Sequence, residues 1–586
     1  MTPIEPPIAT PPAANDREAA TVAVELEDVT FTYHGAERPA LIGARFRQAR
    51  GEMIGIMGAS GAGKSTLAKC LNRIIPGFED GDFHGVVRIG GRSLDGARVS
   101  DVAPMVGMVF QDFEAQLFST NVEHEVAFAM EQVGMPRAEM VGRIADALAA
   151  VGLKGFERRD PTSLSGGEKQ RLAIASVMAL RPSVIVLDEP TTDLDPEGTA
   201  EVFALIRRLR EQGLSLVVIE HEAEELRGCD RLLLIREGRV IADDPPEHLM
   251  TRLDLLEECG VHPPDLNHVA ARLGLRAHLG TVAEAEALVR KHFPKLADIR
   301  ADSAGETIEA LDPEPAAGQG APLVEIRDLS FSYPAGALVL DKIGLTIASG
   351  EFIAIIGQNG SGKTTLAKHI VGLLRCEPGK ILLSGRDRAA MRPAETAQEA
   401  GYVFQNPDHQ IFAATVEDEV AFGPRNFGLD ADEIERRCAE VLQAVGLETA
   451  RRSDPFLLGK GERQRLAVAS VLALKPRLLI LDEPTTGLDY HEQRRMMSLI
   501  ADLNRAGIAI VMITHTPWLV AEYARRVVLM RRGRKLFDGP VREFFAQEEM
   551  LLSASFRPPE VAALGRRFGA STLSVDEFVN WVQRHA

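Results

Sequence analysis

Two segments of the chain carry the residue types that hold a triphosphate. Gly58-Ala-Ser-Gly-Ala-Gly-Lys-Ser-Thr66 and Gly357-Gln-Asn-Gly-Ser-Gly-Lys-Thr-Thr365 both fit G-x-x-x-x-G-K-[ST]. In that pattern Gly58, Gly61 and Gly63, and likewise Gly357, Gly360 and Gly362, let backbone N–H groups curl around β- and γ-phosphates, with Ser60 and Asn359 inside the curl. Lys64 and Lys363 add a point charge, and the hydroxyls of Ser65 and Thr364 suit Mg²⁺. Thr66 and Thr365 open a helix whose positive N-terminus faces the anion. ATP with Mg²⁺ is the expected ligand.

Downstream, Leu-Asp-Glu-Pro ends an apolar run twice. Asp188 and Asp482 are placed to hold Mg²⁺, and Glu189 and Glu483 to orient or deprotonate a water attacking the γ-phosphate. His221 and His515 each lie 33 residues past that Asp and are expected to touch the γ-phosphate.

These residues need elements to hold them. Met53–Met57 and Phe352–Ile356 read as strands before the two glycine loops, and Val184–Leu187 and Leu216–Ile219 read as further strands. Longer stretches of helical spacing lie between, which predicts an α/β fold with a largely parallel sheet. The chain also repeats itself: VFQDFEAQLF returns as VFQNPDHQIF, and from Gln111/Gln405 through Asp188/Asp482 to His221/His515 the offset stays at 294 residues. Even HPPDLNHVAARLGL, from His262, returns as RPPEVAALGRRFGA, from Arg557.

With 586 residues the chain exceeds one core. Apolar residues make up 45% and charged residues 26%, an ordinary globular balance, and no apolar run is long enough to span a bilayer. Five prolines in the first twenty residues read as a disordered tail on an unexported protein. The 66 Lys and Arg against 84 Asp and Glu give a net charge of −18, which argues against general nucleic-acid binding. Cys70, Cys229, Cys259, Cys376 and Cys438 show no paired spacing, and His262, His268, His278 and His292 fit no compact metal site.

Together the motifs resemble the ATP-binding cassette (ABC) superfamily, and the piece that carries this is Leu164-Ser-Gly-Gly-Glu168, the ABC signature. The resemblance implies two P-loop NTPase cassettes in tandem, each a RecA-like α/β core with an antiparallel β subdomain and a helical subdomain. It implies ATPase activity, and head-to-tail pairing in which each signature completes the other cassette's site. By match, Ser165, Gly166 and Gly167 would meet a γ-phosphate, Tyr33 and Tyr333 would stack on adenine, Gln111 and Gln405 would contact Mg²⁺ or water as Q-loop glutamines, and Asp195 and Asp489 would form the D-loops. A strand aromatic packed in the core would look the same as Tyr33 or Tyr333. The second signature departs from the pattern, reading Leu458-Gly-Lys-Gly-Glu462, so that Gly459 and Gly461 remain but the serine is lost. The site built on Lys363, Glu483 and Ser165 is therefore expected to turn over faster, unless the charge of Lys460 compensates on phosphate. The expected division is a disordered tail over 1–22, cassettes over 23–250 and 323–547, their extensions over 251–310 and 548–586, and a linker over 311–322.

The stretch after each Q-loop is similar to that of energy-coupling factor (ECF) transporter ATPases. That similarity implies a peripheral protein on the cytoplasmic face of the membrane, with a transmembrane T component and a substrate-binding S component as partners. The cargo would be a vitamin, a vitamin precursor or a transition-metal ion. Phe113, Phe118, Ile411 and Phe412 would wall a groove for a coupling helix, and Asp112, Glu114 and Asp408 would pair with its arginines. Two other readings stay open: a soluble tandem-cassette translation factor acting on ribosomes, and a fused ATPase of a sugar importer.

Overall fold

Four or five consecutive nonpolar residues leave a strand no polar face, so such a strand must be covered on both sides. Met53–Met57 and Val184–Asp188 are buried at every position, as are Phe352–Ile356 and Leu478–Asp482. In the computed structural model, which describes residues 22–296, 322–334 and 336–586, each is an interior strand of a six-stranded sheet. The first sheet runs in the order Arg239–Asp244, Arg231–Arg236, Met53–Met57, Ser215–Ile219, Val184–Asp188, Val106–Val109. All its pairings are parallel except that of the edge strand Arg239–Asp244. The second repeats it from Ala400–Val403 through Leu478–Asp482, Ala509–Ile513, Phe352–Ile356 and Arg526–Arg531 to Arg534–Pro540.

A four-stranded antiparallel sheet accompanies each, in the order Leu41–Ala49, Val22–Tyr33, Gly81–Ile89, Arg92–Ser93 in the first half. Its apolar residues Leu26, Phe31 and Leu41 share one core with Leu67 and Leu71 of the helix after the glycine loop. Helices Val122–Gln132, Arg137–Ala150 and Gly166–Met178 form the helical part, where Met130, Ile144, Leu148 and Leu172 are buried together. Val416–Asn426, Ala431–Val445 and Lys460–Leu472 are their counterparts.

Two compact units are present. One holds the described residues up to Leu194 with Gly198–Pro264; the other holds Asp195–Glu197 with Asp265–Ala586. The expected boundaries shift accordingly. Leu256, Cys259 and Val261 belong to the first cassette's own core, and Leu551, Ala554 and Phe556 to the second's. The helices Asp265–Arg272 and Val282–His292 bury Leu266, Val269, Ala285 and Val289 against Leu564, Phe568, Phe578 and Trp581 of Glu560–Arg567 and Val575–His585. Two short amphipathic helices expose too much apolar surface to fold alone, and four together close one core. The expected tail over 1–22 and linker over 311–322 lie outside the described residues, apart from Val22 and Pro322, which begin strands.

Candidate functional site

Each glycine loop leaves a buried parallel strand and enters a helix at Lys64–Leu71 or Lys363–Ile370, capped by Gly63 (φ 105°) or Gly362 (φ 101°), which has no side chain to cap the first N–H groups. The loops pass close to the next strand. A Cβ at Gly58 would sit 2.2 Å from the Ile235 carbonyl oxygen, and one at Gly357 2.1 Å from that of Met530, so only glycine fits. Gly61 and Gly360, at φ +73° and +74°, have open space on the Cβ side. Lys64 Nζ donates to the Gly58 and Ala59 carbonyls at 2.8 and 2.9 Å, and Lys363 Nζ to those of Gly357 and Gln358 at 2.6 and 3.1 Å. Burial holds the Lys363 ammonium below its ordinary range, opposed by Glu483 and Asp482.

The strand ends converge on the glutamates. Glu189 and Glu483 sit in left-handed backbone at φ 48° and 49°, a conformation that non-glycine residues seldom adopt. Gln111 Nε2 donates to Glu189 Oε2, and His221 Nε2 lies 2.7 Å from Glu189 Oε1. In the second half Gln405 Nε2 donates to Glu483 Oε2 at 3.0 Å, and His515 Nε2 lies 2.9 Å from Glu483 Oε1. The glutamines and histidines expected on Mg²⁺ or phosphate are thus gathered on the glutamates. Burial pushes the Glu483 carboxyl up, but His515, Lys363 and Thr486 outweigh it and hold the group below its usual range.

The neighbouring aspartates are less settled. Burial raises Asp188 to about 6, against a hydrogen bond from Ser65, and its Oδ1 is buried without a partner. Asp482 Oδ2 accepts from the Thr364 hydroxyl at 2.9 Å and from Tyr402 at 2.6 Å; burial raises this carboxyl too. A buried, under-satisfied carboxylate beside a Ser or Thr hydroxyl is a donor set suited to a hard divalent cation, so the residues fit Mg²⁺.

Tyr33 and Tyr333 approach Thr66 and Thr365 through their hydroxyls, at 3.1 and 3.4 Å, with rings edge-on to Phe31 and Phe331. Ser165 caps helix Gly166–Met178, and its backbone N–H and hydroxyl both reach Glu168. At Gly459 only the backbone half of that capping survives, with Gly459 N–H donating to Glu462 at 2.9 Å. Asp489 caps Tyr490–Arg505. Asp195 belongs to the second compact unit, where its Oδ2 accepts from Asn359 N–H at 2.9 Å.

The ABC transporter family model matches residues 41–192 and again 340–486. The chain belongs to the ABC transporter family. It is an ABC ATPase with two cassettes, and such domains bind ATP, generally with Mg²⁺. It is 46% identical over 561 residues to a protein of Caldanaerobacter subterraneus subsp. tengcongensis named as a candidate ABC transporter ATP-binding protein, covering 95% of this chain and 98% of that relative. A similarly named protein of Methanosarcina acetivorans is 41% identical over 549 residues, covering 92% of this chain and 89% of the relative. A solved structure of CbiO1 from Clostridium perfringens, part of the ABC transporter complex CbiONQ, is 34% identical and covers 42% of this chain and 98% of that one, with a TM-score of 0.37.

In this ABC ATPase the segment after each Q-loop glutamine is held by paired contacts. Glu125 accepts from the N–H groups of Phe118 and Ser119, as Glu419 does from Phe412 and Ala413. The acids expected to reach outward are already engaged. Asp112 caps its own short helix, Glu114 pairs with Lys169 at 2.6 Å and Asp408 with Arg463 at 2.8 Å. Phe113 and Ile411 are core residues rather than groove wall. Phe118 and Phe412 do stay exposed, each edge-on to a second exposed ring, Phe128 and Phe422. In the second unit a cavity of about 370 Å³ lies under Phe412 and Phe422, lined also by Leu373, Phe427 and Leu474. No helix among the described residues is long and apolar enough to cross a membrane.

Two residues near these strand ends were not singled out from sequence: Tyr402, which replaces Met108, and Glu220, which becomes Thr514. Both differences are visible when the halves are aligned at the 294-residue offset. Glu220 is buried, accepts from Thr191 at 2.8 Å, and is raised by burial to about 8 from 4.5. Between those values the unfolded carboxyl is ionised while the folded one keeps its proton, so stability falls as pH rises, by at most about 1.4 kcal/mol per unit. Glu220→Gln removes that slope. In urea denaturation at pH 5.5 and 7.5 the variant should gain on the parent at the higher pH; an equal difference at both would contradict this.

Proposed function

We propose that the chain is the energy-coupling ATPase of an ECF-type importer, working at the cytoplasmic face of the membrane on separate T and S components that carry a vitamin, a vitamin precursor or a transition-metal ion. The observation that carries this reading is the exposed phenylalanine pair after each Q-loop glutamine, Phe118 with Phe128 and Phe412 with Phe422. In the second cassette the pair lies over an apolar cavity. Solvent-facing aromatic pairs on a helix-lined recess suit an amphipathic helix from a partner. Of the acids around them, Glu114 and Asp408 are paired within the chain and Asp112 caps a helix, so the docking is apolar rather than acidic.

At each nucleotide site Gly58–Thr66 or Gly357–Thr365 would cradle the phosphates, Lys64 or Lys363 would add its charge to them, and Tyr33 or Tyr333 would lie against adenine. Ser65 with Asp188, and Thr364 with Asp482, would hold Mg²⁺, while Gln111 and Gln405 sit on the glutamates. The cation, when bound, neutralises charge on the phosphate oxygens. Glu189 and Glu483 take the proton of the attacking water on a carboxylate oxygen, oriented by the Gln and His that meet them. The family resemblance implies that each signature would complete the other cassette's site. Ser165, Gly166 and Gly167 serve the Lys363 site, and Gly459 and Gly461 the Lys64 site.

The unequal signatures make the sites unequal. Loss of the serine hydroxyl and its cap at Gly459 weakens the Lys64 site, leaving most turnover to Glu483. Glu483→Gln should lower ATP turnover at least about tenfold, and Glu189→Gln by no more than about threefold, since loss of a general base costs about 100-fold at the site it serves. Equal losses would contradict the asymmetry. The partner is tested by purifying the tagged chain from solubilised membranes. A co-purifying transmembrane T component, lost on Phe412→Asp, supports the importer reading, and recovery of ribosomes overturns it.

A further inference from the structure

The metal-bearing carboxylates of the two cassettes are held differently. Strand Ala400–Val403 pairs in parallel with Leu478–Asp482, with Tyr402 beside Ile480. Residues two apart on a strand share a face, so a long side chain beside Ile480 can reach Asp482. Tyr402 does so. Its hydroxyl donates to Asp482 Oδ2 at 2.6 Å, and Thr364 donates to the same oxygen at 2.9 Å. The tyrosine is 9% exposed and its ring lies edge-on to Phe404, so the hydroxyl is fixed by packing. In the first cassette Met108 stands at this strand position, its sulfur turned to Asn72, and Asp188 Oδ1 is left without a partner.

We infer that Tyr402 is a positioning residue for the Mg²⁺-bearing Asp482, and that the first cassette, with Met108, lacks this support. The inference rests on the nucleotide-site reading above. A hydroxyl that fixes one carboxylate oxygen removes rotational freedom that a cation would otherwise have to quench. Hydrogen bonds behind a metal ligand change metal affinity about 10–100-fold when lost. This asymmetry is independent of the signatures, because Tyr402 and Asp482 lie in the same cassette.

The test uses the full chain carrying Glu189→Gln and Glu483→Gln, saturated with ATP, and counts bound Mn²⁺ by electron paramagnetic resonance of the free ion. Two classes of Mn²⁺ are expected in this parent, the tighter at Asp482. Tyr402→Phe, which keeps the ring, should weaken the tighter class about tenfold, and Tyr402→Met should do the same. ATP affinity in EDTA should stay within about twofold, which separates positioning of the metal ligand from general damage to the site. If both variants leave both classes unchanged, or if ATP affinity in EDTA falls in parallel, the inference is overturned. If the parent itself shows no ATP-dependent Mn²⁺ binding, the nucleotide-site reading fails.

Discussion

The carboxylate that follows each strand-end aspartate carries a demanding constraint. Glu189 and Glu483 sit in left-handed backbone, and each meets a glutamine and a histidine arriving from the two flanking strands. Three strand ends must therefore stop at one level. The parallel register supplies this, with Val109 beside Leu187 and Asp188 beside Ile219. Gln111 and His221 each follow two residues past the ends of their strands. A shift of one residue in either pairing would turn a side chain to the opposite face and empty that position. The buried apolar strands thus fix where the polar residues meet.

The same glutamine begins the segment that ends at the exposed phenylalanine. Gln116 accepts from Phe110 N–H, and Glu125 holds the backbone at Phe118, so the path from Gln111 to Phe118 is braced at both ends. The second cassette repeats these contacts through Gln410 and Glu419. On the proposed reading, a partner pressing on Phe118 or Phe412 acts through this braced segment on the glutamine that touches the catalytic glutamate. Neither cassette needs a long-range relay, because the surface and the carboxylate share one short stretch of chain.

Much of this was legible in the sequence, because local patterns carried it. The glycine loops, the apolar runs ending in Asp-Glu and the constant offset between halves are all short-range signals, and they located the strands and the residues at their ends. What the sequence left open depended on partners far along the chain. Glu114 and Asp408 read as partners for a coupling helix's arginines because Lys169 and Arg463 lie on a later helix. The extension of the first cassette read as its own appendage, whereas its helices share a core with the last two helices of the chain. The change from Met108 to Tyr402 was visible, but its meaning needed the neighbouring strand that brings Asp482 within reach.

The central claim of the proposed function is that one chain carries two nucleotide sites. It is tested most directly by counting ATP bound per chain. Equilibrium dialysis of the purified chain carrying Glu189→Gln and Glu483→Gln, with Mg²⁺ and saturating ATP, should find two ATP per chain. A plateau at one ATP, or none, would contradict it.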